Sequence, residues 1–157
     1  MVQLTRKADY GLRLMIEVGA AGGAVVTTRA VSKRQKIPYQ FLRRAATVLS
    51  ANGLLSTSRG PQGGVRLARP AGVISLLDIA DAFGGVALNA CTAAPPRCAR
   101  RNTCPAFAAW AEAQAAVDRA LAGTKLDSLL RVRKPVSAGK REGGANVARG
   151  SRRSSAA

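Results

Sequence analysis

The sequence predicts a mainly α fold with a small β-hairpin wing, that is, a winged helix-turn-helix followed by a long dimerisation helix. Three observations predict it. A short helical segment, a tight Lys36-Ile37-Pro38 turn and an amphipathic helix follow one another in the first third of the chain. A glycine- and proline-rich turn, Arg59-Gly60-Pro61-Gln62-Gly63-Gly64, lies between two strand-like runs directly afterwards. An alanine-rich helix opened by Pro105 carries a narrow apolar seam.

Each element has a local reason. Thr5 is placed to cap a helix from Arg6 to about Gly19, with Leu12, Met15 and Ile16 on one face. The run Gly19-Ala20-Ala21-Gly22-Gly23 breaks it. Thr27 or Thr28 starts a second, short helix reaching about Arg34. Ile37 precedes a proline and is pushed out of helical geometry. Pro38 suits the first turn of a third helix, from about Tyr39 to Ala51, which Asn52-Gly53 ends. Phe41, Leu42, Ala45, Val48 and Leu49 form its apolar stripe. Gln40, Arg43, Arg44 and Thr47 lie on the opposite side.

That polar face carries what duplex DNA requires: a guanidinium fork for guanine, an amide for adenine, a hydroxyl for either. An ordinary solvated helix face is the competing reading. The hairpin that follows favours DNA. Leu54 to Ser58 reads as a strand, Val65 to Ala68 as its return, and Arg59 sits at the tip, in reach of a minor groove or phosphates. The expected DNA-binding set is therefore Thr28, Gln40, Arg43, Arg44, Thr47, Arg59 and Gln62.

Ser75 and Asp78 form a capping box for a helix to about Phe83, stopped by Gly84-Gly85. A long loop from Val86 to Cys104 contains all three cysteines. The last helix runs from Pro105 to about Ala122, with Phe107, Trp110, Gln114, Val117 and Leu121 as its seam. It reads as a dimerisation helix; packing on its own domain is the alternative. The resulting organisation is a DNA-binding domain over 1–83, a cysteine loop over 84–104, a dimerisation helix over 105–130 and a basic tail over 131–157. The tail is poor in large apolar residues and is expected to be disordered, either adding nonspecific nucleic-acid affinity or having no role.

Charge supports the division. Residues 1–70 hold twelve basic side chains and two acids, residues 71–130 five of each, and residues 131–157 eight and one, which yields +10, 0 and +7 of the total +17. A cation excess on one folded segment favours a polyanion, because each neutralised phosphate releases counterions. The chain has no histidine, which excludes Ser-His-Asp and Cys-His catalysis, His-ligated zinc and imidazole proton switches. No phosphate-binding glycine fingerprint or cleft-forming carboxylate pair is evident, so the chain is not expected to be an enzyme. No apolar run of transmembrane length and no signal-peptide core occur, so a cytoplasmic protein without a membrane partner is expected.

Cys91, Cys98 and Cys104 are separated by six and five residues. Zinc favours at least one tighter pair and four nitrogen or sulfur ligands, which this loop lacks. Wider spacing suits an iron–sulfur cluster. Pro95, Pro96 and Pro105 stiffen the loop, and Arg97, Arg100 and Arg101 offset the charge of a thiolate cluster. Three unligated thiols are the alternative, and an odd count argues against a simple disulfide framework.

The segments LTRKADYGLRLM, IPYQFLRRAATVLSANGLLSTSRGPQGGVRLARP and CTAAPPRCARRNTC resemble the Rrf2 family of bacterial winged-helix regulators, in particular its iron–sulfur members of the IscR, NsrR and RirA type. The resemblance covers about Val2 to Leu130. It implies a homodimer binding double-stranded operator DNA and answering iron, redox state or a small-molecule signal such as nitric oxide. It implies Cys91, Cys98 and Cys104 as cluster ligands. IscR-like members add a histidine to hold a 2Fe–2S cluster, which this chain lacks. NsrR-like members carry an aspartate in the first helix, here Asp9, that ligates a 4Fe–4S cluster across the dimer, whereas RirA-like members leave the fourth site to another group; Asp9 is the candidate and 4Fe–4S the expected form. Asp9 otherwise reads as a first-turn acid favoured by the helix dipole. Gln40, Arg43 and Arg59 match the family's reading positions. Arg43 departs from the acid common in IscR-like members, as do Ser32, Lys36, Gln62 and Val65 from the usual small alanine, glycine, glycine and aromatic, so the operator is expected to differ.

The leading expectation is a repressor whose cluster state controls DNA affinity. Its rivals are a thiol–disulfide regulator without a cluster and a basic RNA-associated interaction protein dominated by its tail.

Overall fold

The structure is a computed structural model describing residues 5–58, 60, 63–93 and 97–132. The wing-tip residues Arg59 and Gln62, the loop prolines Pro95 and Pro96, and the tail from residue 133 lie outside the described residues.

Helix α1 (Arg6–Gly19) is capped by Thr5, whose hydroxyl accepts the Ala8 N–H. Its buried face is Ala8, Gly11, Leu14, Met15 and Val18 together with Glu17. The expected stripe is thus corrected: Leu12 and Ile16 are only partly buried, and Leu14 and Val18 point into the core. Two small residues mark the true face, and a search for large apolar side chains passes over them. Val26, after the break, forms a reciprocal bridge with Val65 (2.9 and 2.8 Å).

Helix α2 (Thr28–Gln35) is capped by Thr27. It ends at Lys36 in left-handed backbone, φ 53°. Helix α3 (Tyr39–Ala51) follows, with Pro38 just before its first turn. Leu42, Ala45, Ala46 and Leu49 are buried. Phe41 is 40% exposed and Val48 half-buried, so neither belongs to the core stripe expected of them. Ala46 takes that place, because the packed face recurs at 42, 45, 46 and 49.

Strands β1 (Leu55–Ser58) and β2 (Gly64–Leu67) pair antiparallel, Leu55 opposite Leu67 and Ser58 opposite Gly64. A Cβ on Gly64 would stand 2.5 Å from the Val26 carbonyl oxygen, so the bridge to Val26 requires glycine there. Helix α4 (Leu76–Asp81) has the expected capping box, Ser75 N–H on Asp78 Oδ2 at 2.7 Å and Asp78 N–H on Ser75 Oγ at 3.0 Å.

The expected helix from Pro105 to about Ala122 is present, but the stretch 105–130 does not end with it. Helix α5 (Phe107–Gly123) stops at Thr124, and a separate helix α6 (Leu126–Val132) turns back. The Leu76 N–H meets the Thr124 carbonyl and the Leu126 N–H meets that of Ile74, fixing the bend. Leu126 is buried, and Leu130 packs over Gly19 of α1. Residues 105–130 are therefore two helices, the second packed on α1. Gln114 is the buried residue of α5, while Trp110 is 41% exposed. One core of Leu14, Met15, Val31, Leu42, Leu49, Leu54, Ile74 and Ile79, closed by Leu126, holds α1 to α4, the hairpin and α6 together, and α5 adds no residue to it.

Candidate nucleic-acid interface and cysteine loop

The helix-turn-helix is held from below by a charged clasp. Glu17, buried on α1, accepts Arg34 Nε and Gln35 Nε2, each at 2.8 Å. Ser32 Oγ donates to the Ile37 carbonyl at 2.7 Å across the turn. The Glu17 bonds hold α2 on α1, and the Ser32 bond braces the turn between α2 and α3. On the far side Gln40, Arg43, Arg44 and Thr47 are all exposed. With Tyr39 they line one open groove. Thr47 Oγ1 donates to the Arg43 carbonyl at 3.1 Å, leaving its lone pairs outward. Thr28 is half-buried in the first turn of α2.

Sequence reasoning missed one member of this surface. The Arg29 guanidinium lies 4.8 Å from the Tyr39 ring centroid, a cation–π contact that pins an arginine beside the start of α3. Glu17 was also missed; an acid among the apolar residues Leu14, Met15, Ile16 and Val18 was its signal. On the hairpin, Arg66 Nε donates to Ser56 Oγ at 3.1 Å.

The three cysteines are free. Cys91 is buried, and Cys98 and Cys104 are partly exposed. Gln114 anchors the loop's start, accepting the Leu88 N–H at 2.9 Å and donating to the Val86 carbonyl at 2.8 Å. Its amide also donates to Asp118 Oδ1 at 2.9 Å. Gln114 is thus a loop anchor and not a bare seam residue. Cys91 lines a cleft of about 220 Å³ together with Thr92, Arg101, Phe107 and Gln114. Arg101 stacks 4.8 Å over Phe107.

Donor chemistry and donor placement differ. Three free thiols on one anchored loop are the right kind of ligand for an iron–sulfur group. Among the described residues, however, no three Cys, His, Asp or Glu side chains converge on a metal position. Asp9 is paired with Arg13, Nε to Oδ2 at 3.0 Å, and is not brought together with the thiols within the chain.

A family model described as Rrf2, iron-dependent transcriptional regulator, matches residues 4–132. The chain belongs to the Rrf2 family. A putative helix-turn-helix transcriptional regulator of Mycobacterium tuberculosis is 38% identical over 85 residues, 54% of this chain and 53% of the relative. The transcriptional regulator IscR of Cereibacter sphaeroides is 34% identical over 84 residues, 52% of this chain and 54% of the relative. The chain therefore spans about half the length of these curated relatives. The structure of CymR, the global cysteine regulator of B. subtilis, superposes with a TM-score of 0.70 at 23% identity, covering 85% of this chain and all of that one. This likeness establishes the shared winged-helix fold. Rrf2 proteins are a family of transcriptional regulators and not of enzymes. Among the described residues, no helix is long and apolar enough to cross a membrane.

Proposed function

We propose that this Rrf2 protein is a dimeric repressor that reads operator DNA with α3 and is controlled through its cysteine loop. The observation that carries the reading is the four-residue polar face of α3, exposed on a helix whose other side is locked into the core. Gln40 and Arg43 read base edges in the major groove, while Arg44 and Thr47 contact the adjoining strand. Thr28, at the start of α2, takes a phosphate at the helix N-terminus. Arg59 and Gln62 of the wing reach the neighbouring groove. A second subunit, joined through α5, supplies the second reading head, and two half-sites must be met at once.

Cys91, Cys98 and Cys104 supply the thiolates for an iron–sulfur group of the 4Fe–4S type, with Asp9 of the partner subunit as fourth ligand. When bound, such a group supplies sensitivity to nitric oxide, oxygen and iron supply. For Asp9 to serve, its pair with Arg13 must open, which leaves Arg13 free to balance the added negative charge. The iron-dependent character of the family supports this assignment. A second reading, thiol–disulfide oxidation without a cluster, is supported by the lack of a converging ligand set among the described residues and by the fold shared with a cysteine regulator.

Selection of bound fragments from a random duplex pool tests the DNA reading. Arg43→Ala is expected to relax preference at one base position and cost about 1–3 kcal/mol. Arg44→Ala is expected to weaken all sequences alike and lower the salt slope by about one. Enrichment of no sequence, with affinity set by the tail alone, would refute it and favour the RNA-associated alternative.

A further inference from the structure

Behind α3 lies a cavity of about 390 Å³, formed by α1, α3 and the chain just after α4. Its apolar walls are Tyr10, Phe41, Ala45, Val48 and Phe83. Phe41 and Val48 are the two stripe residues that the core does not take up. The Tyr10 and Phe41 rings stand 5.9 Å apart, tilted by 51°. The Phe83 ring occupies the space that a Cβ on Gly11 would need, so one wall is set by a glycine. Exposed Lys7 and Arg44 line the same cavity. Among the described residues neither is in a salt bridge.

The volume lies in the range of small-molecule sites, which combine apolar walls with a few placed polar groups. Aromatic walls recognise a flat or chain-like apolar body. Two cations without a carboxylate partner recognise an anion. We propose that this cavity binds a small aryl or alkyl carboxylate, its apolar body against Phe41, Val48 and Phe83 and its carboxylate on Lys7 and Arg44. Arg44 and Thr47 also line the outward groove that holds Gln40 and Arg43. A carboxylate paired with Arg44 withdraws that cation from a DNA phosphate. Ligand and operator therefore weaken one another, by the same factor in both directions. This coupling rests on the DNA reading proposed above; the binding does not.

The test is calorimetric titration of the full-length protein, without DNA, using 1-naphthoate and its neutral analogue 1-naphthamide. Naphthoate is expected to saturate one site per chain, and the amide to bind about tenfold more weakly. Lys7→Gln and Phe41→Ala should each weaken naphthoate by a similar factor, with melting curves confirming that both variants are folded. Lys33→Gln removes an exposed cation away from the cavity and should change nothing. Absence of saturable binding, equal affinity for the amide, or equal loss in Lys33→Gln would overturn the site. Naphthoate binding only to dissociated chains would mean that a second copy fills the cavity, and would also overturn it. With a selected operator present, bound naphthoate should weaken DNA binding at least threefold; an unaffected operator overturns the coupling. A chain that takes naphthoate but prefers no DNA sequence sinks the DNA reading alone.

Discussion

Glu17 and Arg34 form an asymmetric pair: the carboxylate is 3% exposed, the guanidinium 51%, and they meet at 2.8 Å. Removing the arginine takes one charged donor from a buried carboxylate, whereas the arginine side has water within reach. Arg34→Ala is therefore expected to lower stability by about 2 kcal/mol, below the cost of a fully buried pair because Gln35 still donates. A double-mutant cycle with Glu17→Gln should return a coupling above about 1 kcal/mol in denaturant titrations. A coupling near zero would show that the clasp does not hold α2 on α1.

Lys36 adopts left-handed backbone with φ 53°, where an L side chain costs about 1 kcal/mol relative to glycine. The residue is exposed, so its side chain gives little in return. Lys36→Gly should raise the melting temperature by a few degrees, equivalent to about 1 kcal/mol. A lower melting temperature would mean that the lysine makes up for its backbone strain.

The Asp78 carboxyl is held below the usual aspartate range, chiefly by the Ser75 N–H; burial opposes this, and the Ser75 hydroxyl, Arg69 and Lys125 add smaller lowering effects. A group acidified on folding stabilises the fold above its unfolded pKa, and that contribution is lost as pH falls through the folded value. Asp78→Ala should cost about 1 kcal/mol at pH 7. The difference from wild type should shrink as pH drops below about 3.9, the ordinary aspartate value. Asp81 is shifted the other way, by desolvation and then by Asp118 and Asp78. Asp81→Asn should therefore stabilise the protein at neutral pH and not below the ordinary aspartate range. Chemical denaturation of the three proteins between pH 3 and 7 checks both signs; parallel curves would refute them.

Gln114 ties the cysteine loop to α5 by two hydrogen bonds to loop backbone. Gln114→Leu keeps the volume and strands the Leu88 N–H and the Val86 carbonyl. A loss of about 2 kcal/mol is expected. Hydrogen exchange should show faster exchange at Leu88 with the α3 amides unchanged. Unaltered protection at Leu88 would show that the loop is held by something else.

The helix-turn-helix and hairpin were legible because their signals are local. Thr5, Thr27 and Ser75 cap where their chemistry places them. Gly84 and Gly85 take left-handed backbone after α4, as the stop required. What stayed hidden depends on distant partners. Phe41 and Val48 fit the stripe by periodicity, but the core turns a few tens of degrees away, toward Ala46. The end of α5 was legible to within a residue, but the short helix α6 after it, held by backbone bonds to Ile74 and Leu76, was not, because no local pattern announces those partners. Glu17 gained meaning only when α2 was laid across α1. The cysteine loop was legible as a set of residues, not as an arrangement, because among the described residues its thiols do not converge on a metal position.

Anaerobic isolation, with iron and acid-labile sulfide counted and operator affinity measured on the same sample, tests most directly that the thiol loop governs DNA binding. The wild-type chain is expected to carry both iron and sulfide. The triple variant Cys91→Ser, Cys98→Ser, Cys104→Ser should carry neither and differ at least tenfold in operator affinity, about 1.4 kcal/mol. Wild-type protein free of iron and sulfide, whose operator affinity matches that of the triple variant, would contradict the account.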